Sequence, residues 1–478
     1  MQEIPSASTQ ELPWDQIRDA AKTRRENVVA AWNLKDECVV IPAGEEEVRK
    51  KGDQAKPFYT DPDSFHLTGG RTKPGEVLVF DPKEGWTLFS PPQDPGMVKW
   101  QGPVSLPEDT GIDHVLPVEQ LGKWLKARRG EKVIVLDSEN TTDATDDMNP
   151  QEMLPGPSDM HVKFGLAFEP KRWRDAQRTV NYLRTKKDPV ELHFIRQAVA
   201  VTRGAFNSLL DRSFAGKTEI EIVDFLEGHM RAHGAKRLAF DTIAGHGANL
   251  HGEPTNRIIG SNEVVLVDGG AEVKRHCGDV TRVFPAGAKF VGMHRDLYIA
   301  VLAAQKAAID DIHKGAEFRN IHKATVGRFA QSLIDIGILK GRAEDRVEDG
   351  SCELFFPHGL GHMMGIDVHD LRRYVATGRR PSLSEPGKRN CRVDFPIEPS
   401  QVFTIEPGLY FAPWLFTPEI RERYRDAVNW AKVDQLLATG KCGFRIEDDV
   451  LVGPDGEPII LTDGIPKEID DVEAARAA

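Results

Sequence analysis

The chain has 478 residues, 40% hydrophobic, 28% charged and 8% aromatic, enough for two or three domains with at least one sizeable core. Its 62 Lys+Arg against 74 Asp+Glu leave a net charge of −12, which argues against a nucleic-acid backbone as a general partner. No apolar run approaches the roughly 18 residues of a membrane span, so no membrane partner is expected either.

The first residues, MQEIPSASTQELPWDQ, lack the basic start and apolar centre of a secretory signal. Five cysteines (Cys38, Cys277, Cys352, Cys391, Cys442) are scattered, odd in number and without CxxC spacing. That pattern predicts free thiols in a reducing compartment, hence a cytoplasmic protein, and neither a disulfide frame nor a zinc ribbon.

Along the chain, ECVVIPAG (37–44), EVLVFD (76–81), WTLFSPP (86–92) and EKVIVLD (131–137) predict strands from their apolar, β-branched content. VEQLGKWLKARRG (118–130) predicts an amphipathic helix with Leu121, Trp124 and Leu125 on one face and Gly130 as its stop. Together they read as a small α/β domain, residues 1–185. TTDATDDMNPQ (141–151) reads as a polar surface loop. A second domain, 186–478, opens with a capped helix. Asp188 is the N-cap, Pro189 occupies the first turn, and Glu191 completes a capping box. Leu192, Ile195, Val199 and Phe206 follow as an apolar stripe. Thr218 and Glu221 repeat the cap signature before a helix stopped at Gly234. Strands dominate thereafter, interrupted by helices near 293–313 and 318–337.

FFPHGLGHMMGIDVHD (355–370) packs three histidines into an apolar, glycine-rich stretch. They are either core histidines with partners or groups whose imidazole is needed. VVLVDGGAEVKRHCGDVTRVF (264–284) reads as strand, turn, strand, with Asp268 ending one apolar run and Asp279 opening the next. Adjacent antiparallel strands can aim both at one spot; alone, a solvated turn explains them as well. In FTIEPGLYF (403–411) and FRIEDDVLV (444–452), Glu406 and Glu447 interrupt apolar runs with a parity that turns them inward. A buried carboxylate needs a cation or hydrogen-bond partners. Four carboxylates and one imidazole form a hard, oxygen-rich set that suits Mn²⁺ or Co²⁺ better than a thiolate zinc site. Their combined charge matches two divalent ions better than one, and paired ions provide a hydrolytic nucleophile near neutral pH.

DGG…GDVTR, PHGLGHMMGIDVHD, TIEPGLYF and RIEDDV, in this order, resemble the pita-bread metallopeptidases that cut next to proline, prolidases (Xaa-Pro dipeptidases) and aminopeptidases P. The resemblance covers about residues 186–465, and more loosely the N-terminal part around DPDSFHLTGG. It implies an α/β (α+β) architecture, with an N-terminal creatinase/aminopeptidase P-like accessory domain before a pita-bread catalytic domain. It also implies a homodimer and two divalent ions, Mn²⁺ first, with Co²⁺ or Zn²⁺ as alternatives. Asp268, Asp279, His362, Glu406 and Glu447 match the five metal ligands. Glu406 matches the proton shuttle, while His251 and His369 match the histidines near the scissile carbonyl. His358 matches a wall of the proline pocket, Arg392 (with Arg389 close by) the clamp on a substrate carboxylate, and Arg445 the group that orients carboxylates. His246 and His276 read as turn or surface histidines, Asp367 and Asp370 as loop and cap residues.

The expected reaction is hydrolysis of the Xaa-Pro bond of dipeptides or short peptides. The segment between Tyr410 and Gly443, containing AVNWAKVDQLL, resembles bacterial prolidases and favours a dipeptidase. DLRRYVATG after VHD departs from the prolidase pattern through Arg372 and Arg373 and keeps an aminopeptidase acting on longer peptides as the alternative. A catalytically inactive pita-bread binding module is the alternative of another class, and the complete ligand set speaks against it.

Overall fold

The computed structural model describes residues 11–46, 56–70, 73–102, 109–128, 132–137, 157–246, 252–371, 374–375, 386–388, 390–391, 393–438 and 442–477. They divide into two compact units, Gln10–Arg184 and a second formed by Thr185–Ala478. The predicted loop 141–151 lies outside the described residues.

In the first unit, five strands form one sheet in the order His114–Pro117, Gly85–Ser90, Val77–Asp81, Glu37–Pro42, Lys132–Val135. The four predicted strands are there, each within two residues of its predicted ends. Successive side chains alternate between faces, and both faces are covered. Val39, Ile41, Leu78 and Phe80 pack under Val28, Trp32, Ala176 and Val180, whereas Val40, Val77 and Val79 meet Leu121 and Leu125. Burial on both sides is why these strands read as continuous apolar runs. The predicted helix begins as a single tight turn, Val118–Gln120, and continues as Leu121–Ala127. Trp14–Trp32 is a helix that the pattern does not announce, because its buried face includes Arg24 and Arg25. Those guanidiniums donate to the carbonyls of His66 and Leu67 at 2.9 and 2.6 Å, at the end of the short helix Pro62–Thr68. They satisfy acceptors that the helix terminus leaves open.

In the second unit, helix Pro189–Asn207 starts on the full capping box of Asp188 and Glu191, and Glu219–Ala232 on that of Thr218 and Glu221. Helices Met293–Asp310 and Phe318–Asp335 pack against each other. Among these helices run several small sheets, of which two three-stranded sheets and a two-stranded ribbon carry the candidate site. One sheet has the order Val280–Pro285, Val264–Gly269, Ile243–His246, and the other Val402–Ile405, Asp448–Val452, Pro458–Ile460. The ribbon pairs Gly408–Phe411 with Cys442–Arg445. Residues from Val201 to Val472 share one apolar core. Among the described residues, no helix is long and apolar enough to cross a membrane.

Register does most of the positioning. Ile405 pairs with Asp448, and Gly408 with Arg445. The two pairings lie on a single antiparallel register, interrupted for two residues where Pro407 has no N–H to give. Continued through the gap, that register sets Glu406 opposite Glu447. Thr281 lies opposite Asp268, and Asp279, two residues from Thr281, shares its face. The segment 360–364 joins as a further strand. Thr404 N donates to His362 O at 2.9 Å and Glu406 N to Leu360 O at 2.8 Å. Gly361 permits this approach, since a Cβ there would fall 1.9 Å from the Thr404 carbonyl oxygen.

Candidate metal centre

Four of the predicted ligands are almost wholly enclosed: Asp268 is 5% exposed, Asp279 4%, His362 2% and Glu447 2%. Ligand atoms of Asp279, His362 and Glu447 lie within 4.8 Å of one another. His362 Nε2 is 3.4 Å from Asp279 Oδ2 and 3.7 Å from Glu406 Oε1. Asp268 faces the same spot from the strand beside Asp279.

The donor set fits divalent cations. Asp268 Oδ1 and Asp279 Oδ1 are buried without a hydrogen-bond partner, an arrangement that costs several kcal/mol per ion unless charge compensates it (on the order of the usual buried-ion penalty). Burial, and then neighbouring carboxylates, push both Asp279 and Glu447 well above the usual carboxylate range. For Asp279 the neighbour is Asp268; for Glu447 it is Asp279, Glu406 and Asp268. Arg445 compensates only in part: its guanidinium ion-pairs with Asp268 Oδ2 and lowers Asp279 and Glu447 by less than burial and the neighbouring carboxylates raise them.

A frame of hydrogen bonds holds the carboxylates from behind. Thr281 Oγ1 donates to Glu447 Oε2 at 2.6 Å and accepts from Arg445 Nε at 2.9 Å. Arg445 Nη1 donates to the Tyr410 hydroxyl at 2.7 Å, and that hydroxyl is 2.9 Å from His358 Nε2. Arg445 is buried and ties Asp268, Thr281 and Tyr410 together. The chain at and just after Glu447 is clamped. Arg282 Nη1 donates to Glu447 O at 2.6 Å, and Arg282 Nη2 to Asp448 Oδ1 at 2.7 Å. Burial raises Asp448, but Arg282 and Lys467 outweigh it and hold this carboxyl below the usual range. Asp449 Oδ2 accepts from Asp279 N at 3.1 Å.

The histidines divide by environment. His358, half-buried, has Nδ1 3.7 Å from Glu406 Oε2. His369 is exposed, with its ring centroid 4.3 Å from that of His362 at 75°. His276, read from the sequence as a turn or surface residue, is buried instead, with its ring against Phe194. Asp370, read as a cap, is fully buried and pairs with Lys187 at 2.6 Å, whereas Asp367 meets Arg275 at 3.2 Å. His251, Arg392, Arg389, Arg372 and Arg373 lie outside the described residues. Thr281, Tyr410, Arg282 and Lys187 have no signature that sequence reasoning used. Thr281 alone was findable, as the same-face neighbour of Asp279 in a strand.

The description Metallopeptidase family M24 matches residues 193–454, and Aminopeptidase P, N-terminal domain, matches residues 21–135. A probable Xaa-Pro aminopeptidase of Pyrenophora teres is 28% identical over 467 residues, covering 95% of this chain and 94% of its own length. An uncharacterized peptidase of Saccharomyces cerevisiae is 30% identical, over 90% of this chain and 78% of its own length. Among solved structures, zinc-substituted Escherichia coli aminopeptidase P in complex with product has a TM-score of 0.75 at 25% identity, covering 96% of this chain and 98% of its own. Pseudomonas aeruginosa aminopeptidase PepP has the same fold, with a TM-score of 0.75 at 24% identity and 98% of both chains covered. With a family match over more than half its length and a buried acidic centre suited to divalent metal, the chain is a metallopeptidase and belongs to family M24.

Proposed function

We propose that the chain is a Xaa-Pro aminopeptidase working on proline-containing peptides with two divalent ions, Mn²⁺ first. Asp268, Asp279, His362, Glu406 and Glu447 are the ligands in this reading. The observation that carries it is the buried convergence of Asp279, His362 and Glu447, with orphaned carboxylate oxygens beside them. The preference for aminopeptidase over dipeptidase rests on the names of relatives that match along nearly the whole chain. A homodimer and a cytoplasmic location complete the proposal; the free, buried thiols of Cys277, Cys352 and Cys442 support a reducing compartment.

When bound, the ions supply Lewis acidity and lower the pKa of water at the site. The chain's own residues do the rest. Glu406 lies between His358 and His362, each 3.7 Å away, and holds the proton that passes to the leaving proline nitrogen. Exposed His369, with His251, donates hydrogen bonds to the negative charge developing on the scissile carbonyl oxygen. His358 walls the proline ring, and Arg392 takes the substrate carboxylate through a guanidinium fork. Arg445 and Thr281 keep Asp268 and Glu447 aimed inward.

The test is hydrolysis of Ala-Pro-Ala against Ala-Pro after chelation and Mn²⁺ or Co²⁺ add-back. Metal-restored release of alanine from the tripeptide, well ahead of the dipeptide, is expected. Preference for Ala-Pro makes the chain a dipeptidase, and no activity with metal fully loaded makes it a binding module.

A further inference from the structure

Lys187 and Asp370 lie 183 positions apart and meet with Nζ 2.6 Å from Oδ2, their side chains 1% and 0% exposed. A buried ion pair adds little stability over a well-packed apolar pair, and its best-attested use is to fix one arrangement of the chain.

Both ends of this pair are wired to the centre. Lys187 N donates to Ser400 O at 2.7 Å, and Lys186 bridges to Gln401, the residue before the strand Val402–Ile405 that leads into Glu406. On its other side Lys187 adjoins Asp188, the cap of helix Pro189–Asn207. Asp370 N donates to Met363 O at 2.9 Å and closes the loop that starts just after His362 and carries His369. Within that loop Gly365 N donates to Asp367 O at 3.1 Å, and Gly365 O accepts from Cys277 N at 3.0 Å. Gly365 covers the ion pair so closely that a Cβ there would lie 2.5 Å from both Lys187 Nζ and Asp370 Oδ2.

We infer that Lys187 and Asp370 are positioning residues for His369: the buried pair holds the 363–370 loop closed and so presents the exposed His369 imidazole beside His362. The inference rests on the substrate-facing reading of His369 above. A rigid strap of this kind matters because His369 itself is exposed and has its backbone set by its neighbour Asp370.

The test is a mutational cycle on the metal-loaded full chain, with kcat, KM and metal content measured for Lys187→Met/Asp370→Leu, His369→Ala and the combination. The paired apolar variant removes both charges of the pair together. Expected are wild-type metal content, a roughly hundredfold fall in kcat with KM little changed, and almost no further loss when His369→Ala is added. Losses that multiply, or metal content that falls, overturn the inference. A wild-type rate for His369→Ala instead overturns the reading of His369 beneath it. Impaired His369→Ala beside fully active Lys187→Met/Asp370→Leu removes the pair's role alone. Gly365→Ala, which keeps both charges and drives a Cβ into their contact, is the second route. It is expected to give the same non-multiplying loss, and full activity in it overturns the inference.

Discussion

Glu406 and Glu447 stand opposite each other on a single antiparallel register, although the pairing is broken at both. Directly opposed like charges destabilise a pair of strands, so this ladder is built around something that neutralises them. The break itself helps. Released from each other, Glu406 N donates to Leu360 O at 2.8 Å and Glu447 N to Thr281 O at 3.1 Å, which ties the two acids to the segments that carry His362 and Asp279.

Neutralising one carboxylate is expected to separate stability from metal binding. Asp279→Asn removes a buried charge repelled by Asp268, and the metal-free variant should exceed metal-free wild type by about 1–3 kcal/mol. Adding Mn²⁺ should stabilise wild type and leave the variant unmoved. The gap should also depend on pH. A carboxyl raised in the folded state favours folding below its unfolded pKa and loses that contribution as pH rises through the raised value. The variant's advantage therefore shrinks on acidification. Thermal melts with chelator and with Mn²⁺, at several pH values, check both parts; a metal-stabilised Asp279→Asn refutes the ligand assignment.

Thr281→Val keeps the shape of the strand and deletes the hydroxyl between Glu447 and Arg445. Metal affinity should drop by roughly 10–100-fold, the usual effect of losing an outer partner of a ligand. Titration of chelator-treated protein with Mn²⁺ measures it, and an unchanged affinity contradicts the role given to this hydroxyl.

His322 supplies an acid limit to stability unrelated to the carboxylates. Burial lowers its pKa to about 4, and its Nδ1 accepts from Leu360 N at 3.2 Å. The unfolded state takes up the proton first, so stability present above about pH 6.5 is lost as pH falls toward 4, on the order of 3 kcal/mol in all. His322→Asn, which keeps an acceptor but not the titration, should flatten the melting-temperature curve over that window. A curve parallel to wild type shows that His322 titrates alike in the folded and unfolded states and contradicts the assignment.

Much of the second unit was legible because its signals are local. Asp188–Glu191 and Thr218–Glu221 announce helix starts within four residues. Glu406 and Glu447 betray themselves as acids at inward parity in apolar runs. What escaped is long-range pairing. Asp367 and Asp370 look alike in GIDVHD, yet one meets Arg275 near the surface and the other is sealed against Lys187. Arg282 and Asp448, 166 positions apart, carry no local mark of the contact they make once their strands are brought together. Arg24 and Arg25 hid the first helix in the same way, since buried guanidiniums mask an apolar stripe.

Between Asp268 and Glu447 lie most of the strands of the second unit and both of the helices Met293–Asp310 and Phe318–Asp335, all of which must be made before the acidic groups can converge. No early fragment emerging from the ribosome therefore carries a usable cation trap. With the ligand set proposed above, metal arrives after strand Asp448–Val452 has docked, and its effect on kinetics should be to slow unfolding while leaving the folding rate untouched.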